Sequence, residues 1–142
     1  MRAVLQRVTS AVVRVDGEDV GGFAEPGLVA LVGVTHTDTR EHADRLARKV
    51  AEMRLLRGDA SVLGSGAPVL VVSQFTLYAD VRKGRRPSWS AAAPGDVAEP
   101  LVDVVVGSLR ERGVRVETGR FGADMQVELT NDGPVTIVLD VD

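Results

Sequence analysis

Leu28-Val29-Ala30-Leu31-Val32-Gly33-Val34 is the stretch on which the fold turns. It is a nearly unbroken apolar run of strand length, the pattern of a strand buried on both faces. Just beyond it, Thr37, Asp38 or Thr39 can cap a helix running from about Arg40 to Met53. There Ala43, Leu46, Ala47, Val50 and Met53 recur at helical spacing, so one face of that helix packs on a sheet.

Working outward, Ala3 to Val8 and Ala11 to Val15 read as Val-rich strands separated by Thr9-Ser10, and Asp16-Gly17 as a hairpin turn. Residues Arg57 to Pro68 form a loop, and Val69 to Phe75 the next strand. A polar loop, Ala79 to about Gly95, leads to a second helix from about Glu99 to Arg112. Pro100 is tolerated in its first turn, and Gly113 sits in a capping position behind it. Leu101, Val104, Val105, Ser108 and Leu109 form its expected inner side. Val114 to Thr118, Asp124 to Leu129 and Val135 to Val141 close the chain as strands. The expected class is α+β: curved, mainly antiparallel, barrel-like β-sheets with two helices packed against them, in a single domain over residues 1–142.

Composition narrows the function. With 142 residues, 44% hydrophobic and 26% charged, the chain can bury a core. Its N-terminus lacks the long apolar stretch of a signal peptide, and its apolar runs are too short to span a bilayer. The absence of cysteine removes disulfides, thiol nucleophiles and thiolate metal sites, and suits a reducing cytoplasm. The two histidines, His36 and His42, make a weak metal case and read as surface residues, so no metal or cofactor is expected. A net charge of −3 argues mildly against nucleic acid, but Arg82-Lys83-Gly84-Arg85-Arg86 concentrates cations locally. That cluster is either a solvated surface loop or a loop that holds one phosphate backbone.

GxSxG, P-loop and GxGxxG fingerprints are all missing. Two segments stand out instead. Ser73-Gln74-Phe75-Thr76-Leu77-Tyr78 ends an apolar strand abruptly in polar residues, which marks either a pocket rim or a strand leaving the core. Strand alternation would put Ser73 and Phe75 on one face, and Gln74 and Thr76 on the other. Asn131-Asp132-Gly133-Pro134-Val135-Thr136 is a turn by its chemistry, either a plain hairpin loop or a turn with a cis Gly133-Pro134 bond.

These two segments resemble the SQFTL and NxGPVT signatures of the D-aminoacyl-tRNA deacylase family. The resemblance runs nearly end to end, through Gln6-Arg7-Val8, Gly27-Leu28, Leu31-Val32-Gly33-Val34, Arg86-Pro87-Ser88 and the run from Thr118 through Gly119-Arg120-Phe121-Gly122-Ala123-Asp124 to Met125. There is one departure. The region Arg57 to Pro68 is shorter than the segment that family members commonly carry and lacks its Gly-Lys-Met-Asn stretch, so the contacts that the longer segment makes to tRNA or to the partner subunit are not carried over to this chain.

The resemblance implies a homodimer without cofactor that hydrolyses the ester of D-aminoacyl-tRNA, and of glycine mischarged on a non-cognate tRNA. It places Ser73, Gln74, Phe75 and Thr76 at the catalytic pocket, with Phe75 facing the base of the 3′-terminal adenosine. It makes Gly133 and Pro134 a chiral filter that reaches into the other subunit and excludes L side chains. Arg7, Asn131 and Met125 support the site, and Lys83, Arg85 and Arg86 hold tRNA. Two rival readings are a non-catalytic RNA- or small-ligand-binding dimer of the same fold, and a hydrolase of another small ester using Ser73 or Thr76 as nucleophile.

Overall fold

The computed structural model describes residues Met1–Asp142. Strand β1 (Arg2–Val15) is the spine of a six-stranded sheet. One of its edges takes β3 (Gly27–Gly33) along Arg2 to Val8 and β2 (Glu18–Phe23) along Ala11 to Val15; its other edge takes β6 (Gln126–Asp140). Strand β4 (Val69–Ser73) then pairs with β3, and β5 (Val116–Thr118) with β4, giving the order β2-β1-β3-β4-β5. Pairings of β1 are antiparallel, while β3-β4 and β4-β5 are parallel, so the sheet is mixed.

The sheet curls almost into a barrel. Its two ends meet where β2 reaches β5: a Cβ on Gly21 would land on the Thr118 carbonyl oxygen, so only glycine allows that approach. Inside lie Val8, Ala11, Val13, Val29, Leu70 and Val72. Outside, Ala3, Leu5, Leu28, Ala30 and Val32 pack against helices α1 (Arg40–Glu52) and α3 (Gly95–Glu111). Strand β3 thus has a core on each face, as its apolar run requires.

Thr9-Ser10 does not divide two strands. The register of β1 against β6 shifts between Val8 and Ser10, a bulge inside one continuous strand. An inserted residue reverses the side-chain alternation, which keeps Val8, Ala11 and Val13 all pointing inward. Asp16 and Gly17 form the expected hairpin turn, with φ of 52° and 79°.

Helix α1 begins at the expected place, with Thr39 as N-cap and His42 completing a reciprocal capping box. Ala43, Leu46, Ala47 and Val50 are buried on its inner face, and Met53 is its half-buried C-cap. Helix α3 starts earlier than its sequence pattern suggests, because the Val97 and Ala98 N–H groups already close on the Pro94 carbonyl (3.0 and 2.9 Å). Asp96 suits the positive end of the helix dipole, and Pro100 falls in the second turn, where the N–H it lacks would have served the Asp96 carbonyl. Its buried face includes Val102 and Val106 beside the expected Val105, Ser108 and Leu109, while Leu101 and Val104 are half-buried against the same core. The region 57–68 is not wholly a loop, since Val62–Ser65 makes a short third helix, α2, capped by the Ser61 side chain and by left-handed Gly66.

Candidate active site

Strand β4 stops at Ser73, not at Phe75. The chain then tightens into a short 3-10 helix, Phe75–Tyr78, so strand alternation does not set these side chains. The Gln74 N–H still bonds to the Val32 carbonyl (2.7 Å), which ties the turn to β3. The turn's first internal bond runs from the Leu77 N–H to the Gln74 carbonyl (3.2 Å), leaving the Phe75 and Thr76 N–H groups ahead of its ladder. The Gln74 side-chain amide donates to the Thr76 hydroxyl.

Ser73, Gln74 and Phe75 line a cavity of about 440 Å³, in the range of small-molecule pockets. Val34, Val72, Ala93 and Ala98 give it an apolar floor, and Phe121, Ala123 and Met125 its far wall. Met125 therefore stands with the Ser73 segment, whereas Thr76 lies just outside, its hydroxyl held by Gln74. Phe75 is 54% exposed, so a ring face is available at the mouth. Neither histidine borders this cavity: the His42 ring caps α1 and His36 Nε2 contacts the Ser90 carbonyl oxygen (2.7 Å). Ser73 thus has no imidazole to activate it, and no cluster of acids and histidines could hold a metal ion.

The second segment lies elsewhere. Asn131-Asp132-Gly133-Pro134 is not a hairpin, because both of its flanks pair with the same strand: Asn131 opposes Val8 and Thr136 opposes Gln6. The segment is a wide bulge of β6, with Arg7 as the β1 residue opposite it. The Gly133-Pro134 bond is cis, and both residues are exposed. Arg7 donates from Nε to the Asp132 carbonyl oxygen (2.9 Å) and from Nη1 to the Leu55 carbonyl oxygen (3.2 Å). Gly133 has φ of +121°, and a Cβ there would strike the Arg7 guanidinium.

No sequence motif singles out Asp132 and Arg57 as a pair. Arg57 Nη2 donates to Asp132 Oδ1 (2.7 Å), and this hydrogen bond, with the charges of Arg57 and Arg7, holds the Asp132 carboxyl below the usual range. Arg7, Arg57 and Asp132 line a separate cavity of about 380 Å³, walled by Ser65, Gly66 and Ala67 from the 57–68 region. The only local clue is an arginine in the 57–68 region and an acid beside Gly133. Pairing them requires knowing that β6 runs back along β1.

The cavity at Phe75 does not reach the bulge, and the cavity at Asp132 does not reach Phe75. Asn131 is exposed at the bulge's start. Lys83, Arg85 and Arg86 are exposed without an anionic partner, whereas Arg82 is occupied by Asp80 (2.6 Å).

The profile of the D-Tyr-tRNA(Tyr) deacylase family matches residues 4–140. A D-aminoacyl-tRNA deacylase of Acidothermus cellulolyticus is 66% identical over 142 residues, covering both chains completely. The same-named protein of Beutenbergia cavernae is 67% identical over 140 residues, 99% of each. Among solved structures, the c-Myc DNA Unwinding Element Binding Protein superposes with TM-score 0.92 at 36% identity, covering 100% of this chain and 99% of that one. A probable eukaryotic D-amino acid tRNA deacylase shares the fold with TM-score 0.86 at 19% identity, over 99% and 98% of the two chains.

Proposed function

The chain belongs to the D-Tyr-tRNA(Tyr) deacylase family and is a D-aminoacyl-tRNA deacylase, and from that premise we propose how its parts divide the work. The observation that carries the proposal is a separation: an open pocket at Phe75, and an exposed Gly133-Pro134 bulge that does not enter its own chain's pocket. Two copies join the halves. In a homodimer the bulge of one chain enters the Phe75 pocket of the other. Strand β6 supports this, since it pairs only with β1 and presents a free edge.

In this arrangement the 3′-terminal adenosine of the aminoacyl-tRNA occupies the pocket, its base against Phe75. Gly133 and Pro134 bound the space beside the α-carbon with rigid backbone, so an L side chain collides while a D side chain points away. Glycine has nothing to exclude, so glycine mischarged on a non-cognate tRNA is also a substrate. Arg7 and Asn131 hold the filter in place, and Met125 shapes the pocket wall. The work belongs in the cytoplasm, with the substrate; no helix is long and apolar enough to cross a membrane.

The chemistry is economical. An aminoacyl ester is already activated, and neither Ser73 nor Thr76 is hydrogen-bonded to a histidine or carboxylate that would make it a nucleophile. Backbone N–H groups at Phe75 and Thr76 supply the donors for the developing oxyanion, while the pocket fixes the ester for attack by water or by the RNA's own hydroxyl.

The test is deacylation of D-tyrosyl-tRNA against L-tyrosyl-tRNA, with a Pro134→Ala variant and a dilution series alongside. Loss of the D ester alone, altered selectivity in the variant and falling specific activity on dilution are expected. Comparable hydrolysis of the L ester refutes the steric filter. Tight tRNA binding without turnover favours a non-catalytic binding dimer, and a trapped acyl-enzyme favours a serine or threonine esterase.

A further inference from the structure

Phe75 has an aromatic neighbour outside the lining of its pocket. Trp89 lies with its ring centroid 5.4 Å from that of Phe75, the two planes crossing at 69°. It is 43% exposed. A tryptophan serving only the core would bury its ring, yet the segment around this one is firmly tied. Asp80 and Ser88 exchange backbone hydrogen bonds, both 2.8 Å, closing the loop that precedes it. Beyond it, the Ser90 carbonyl oxygen meets His36 Nε2 (2.7 Å), and the Thr35 hydroxyl donates to the Ala91 carbonyl oxygen (2.6 Å). The indole is thus an exposed ring on a braced frame. The loop closed by Asp80 and Ser88 carries Lys83, Arg85 and Arg86, none of them neutralised within the chain.

Two exposed aromatic faces at a steep angle, next to unpaired cations, form a surface for single-stranded nucleic acid with splayed bases. A duplex is excluded by the same geometry, since paired bases offer no free faces. Resting on the assignment of Phe75 to the terminal adenosine, we propose that Trp89 is a second stacking platform, which takes the base of the preceding nucleotide of the tRNA 3′ end. Lys83, Arg85 and Arg86 then track the phosphates of that strand. The steep angle between the rings requires the strand to turn between its last two bases, which presents the terminal ester to the pocket.

Trp89 is the chain's single tryptophan, so its emission reports the contact directly. The first experiment titrates the protein with the oligoribonucleotide ACCA, using adenosine monophosphate as the short control. Quenching by ACCA well beyond that caused by the mononucleotide is expected. No quenching by saturating ACCA overturns the proposal. Trp89→Ala should weaken ACCA binding about 5- to 150-fold, the worth of one stacked base, and Trp89→Phe should restore much of it. In turnover, Trp89→Ala should lower kcat/KM for D-tyrosyl-tRNA far more than for D-tyrosyl-adenosine. Equal losses on both would make Trp89 a mere brace for Phe75 and sink the platform. Lys83→Ala with Arg85→Ala keeps the indole and should flatten the salt dependence of ACCA binding by about 0.7 in log-log slope for each phosphate no longer neutralised. If neither ester is hydrolysed by the unmodified protein, the deacylase mechanism fails while ACCA quenching still decides the platform.

Discussion

Gly133 and Arg7 are coupled by one geometric fact, and that fact fixes the outcome of a double-mutant cycle. Gly133→Ala has two costs. The first is backbone: an L residue held at φ of +121° is strained by about 1–3 kcal/mol. The second is steric, because the new methyl group occupies the place of the Arg7 guanidinium. To make room, Arg7 must give up its bonds to the Asp132 and Leu55 carbonyl oxygens. Hydrogen bonds from a charged donor are worth about 1.5–3 kcal/mol each, and with the Arg7 side chain 14% exposed we take the lower value, about 3 kcal/mol for both. Gly133→Ala should therefore cost about 4–6 kcal/mol, and Arg7→Ala, which removes the two bonds together with the longer ion pair to the Asp132 carboxylate (3.6 Å), about 3 kcal/mol or slightly more.

In the double variant those bonds are lost once, not twice. Its cost should stay near that of Gly133→Ala alone, about 3 kcal/mol less than the sum of the singles. Urea unfolding read by far-UV circular dichroism, at a temperature where every variant remains folded in water, gives the four free energies. Additivity within about 0.5 kcal/mol would refute the reasoning, because it would show that alanine at this position is accommodated without moving Arg7. A parallel cycle on the ratio of D to L hydrolysis tests whether the same contact positions the proposed filter.

Three further outcomes follow from single groups. Tyr78 is the only tyrosine, and burial, followed by the charge of Asp38, pushes its hydroxyl up to about 12; tyrosinate absorbance should show that midpoint in the folded protein and one near 10 in urea. Because the folded value is the higher one, the stability it confers is complete below pH 10 and is lost as pH rises towards 12. Asp80 is held down to about 2 by the Arg82 hydrogen bonds, so its contribution is present above pH 4 and lost as pH falls through about 2; the Tm gap between the native protein and Asp80→Asn should close over that interval, and a gap independent of pH would contradict it. Leu46 is fully buried between α1 and the sheet, and Leu46→Ala should cost about 2–5 kcal/mol in urea unfolding, against about 0.5 or less for Val81→Ala at a site 69% exposed.

Features set by local chemistry are legible in the sequence. Strand β3 announces itself because only a doubly covered strand tolerates so long an apolar run, and α1 because a threonine cap and a periodic face coincide. The Ser73 segment is recognisable as a polar end to a buried strand. Its side-chain directions are not, because the backbone leaves the strand after Ser73 and closes the Leu77 N–H on the Gln74 carbonyl, a change of conformation that the polar residues do not announce. The parallel pairing of β3, β4 and β5 does have a signal, since a long helix lies between successive strands as in a crossover connection, but the number of ribbon-like strands elsewhere in the chain points the other way. Trp89 is silent in the sequence for a similar reason. A lone tryptophan in a polar loop acquires meaning only when the fold sets it against Phe75.

The Asn131 to Thr136 segment shows where local reading stops. Its turn chemistry is real, but a turn says only that the chain deviates, not whether it reverses. Reversal requires the two flanks to pair with each other. Here each flank finds a partner on β1, a 14-residue strand long enough to receive both. The flanks therefore continue in one direction, and the residues in excess must leave the ladder. That excess is what exposes Gly133 and Pro134, and it leaves Arg7, the β1 residue facing the gap, free to turn its guanidinium on to the bulge instead of a cross-strand neighbour. A hairpin with the same sequence would have placed its tip at a sheet end with nothing behind it. The bulge gives the tip a backing of Arg7, Asp132 and Arg57. Such a backing is what the proposed filter, acting through backbone position, would need, and Arg57 of the 57–68 region is part of it.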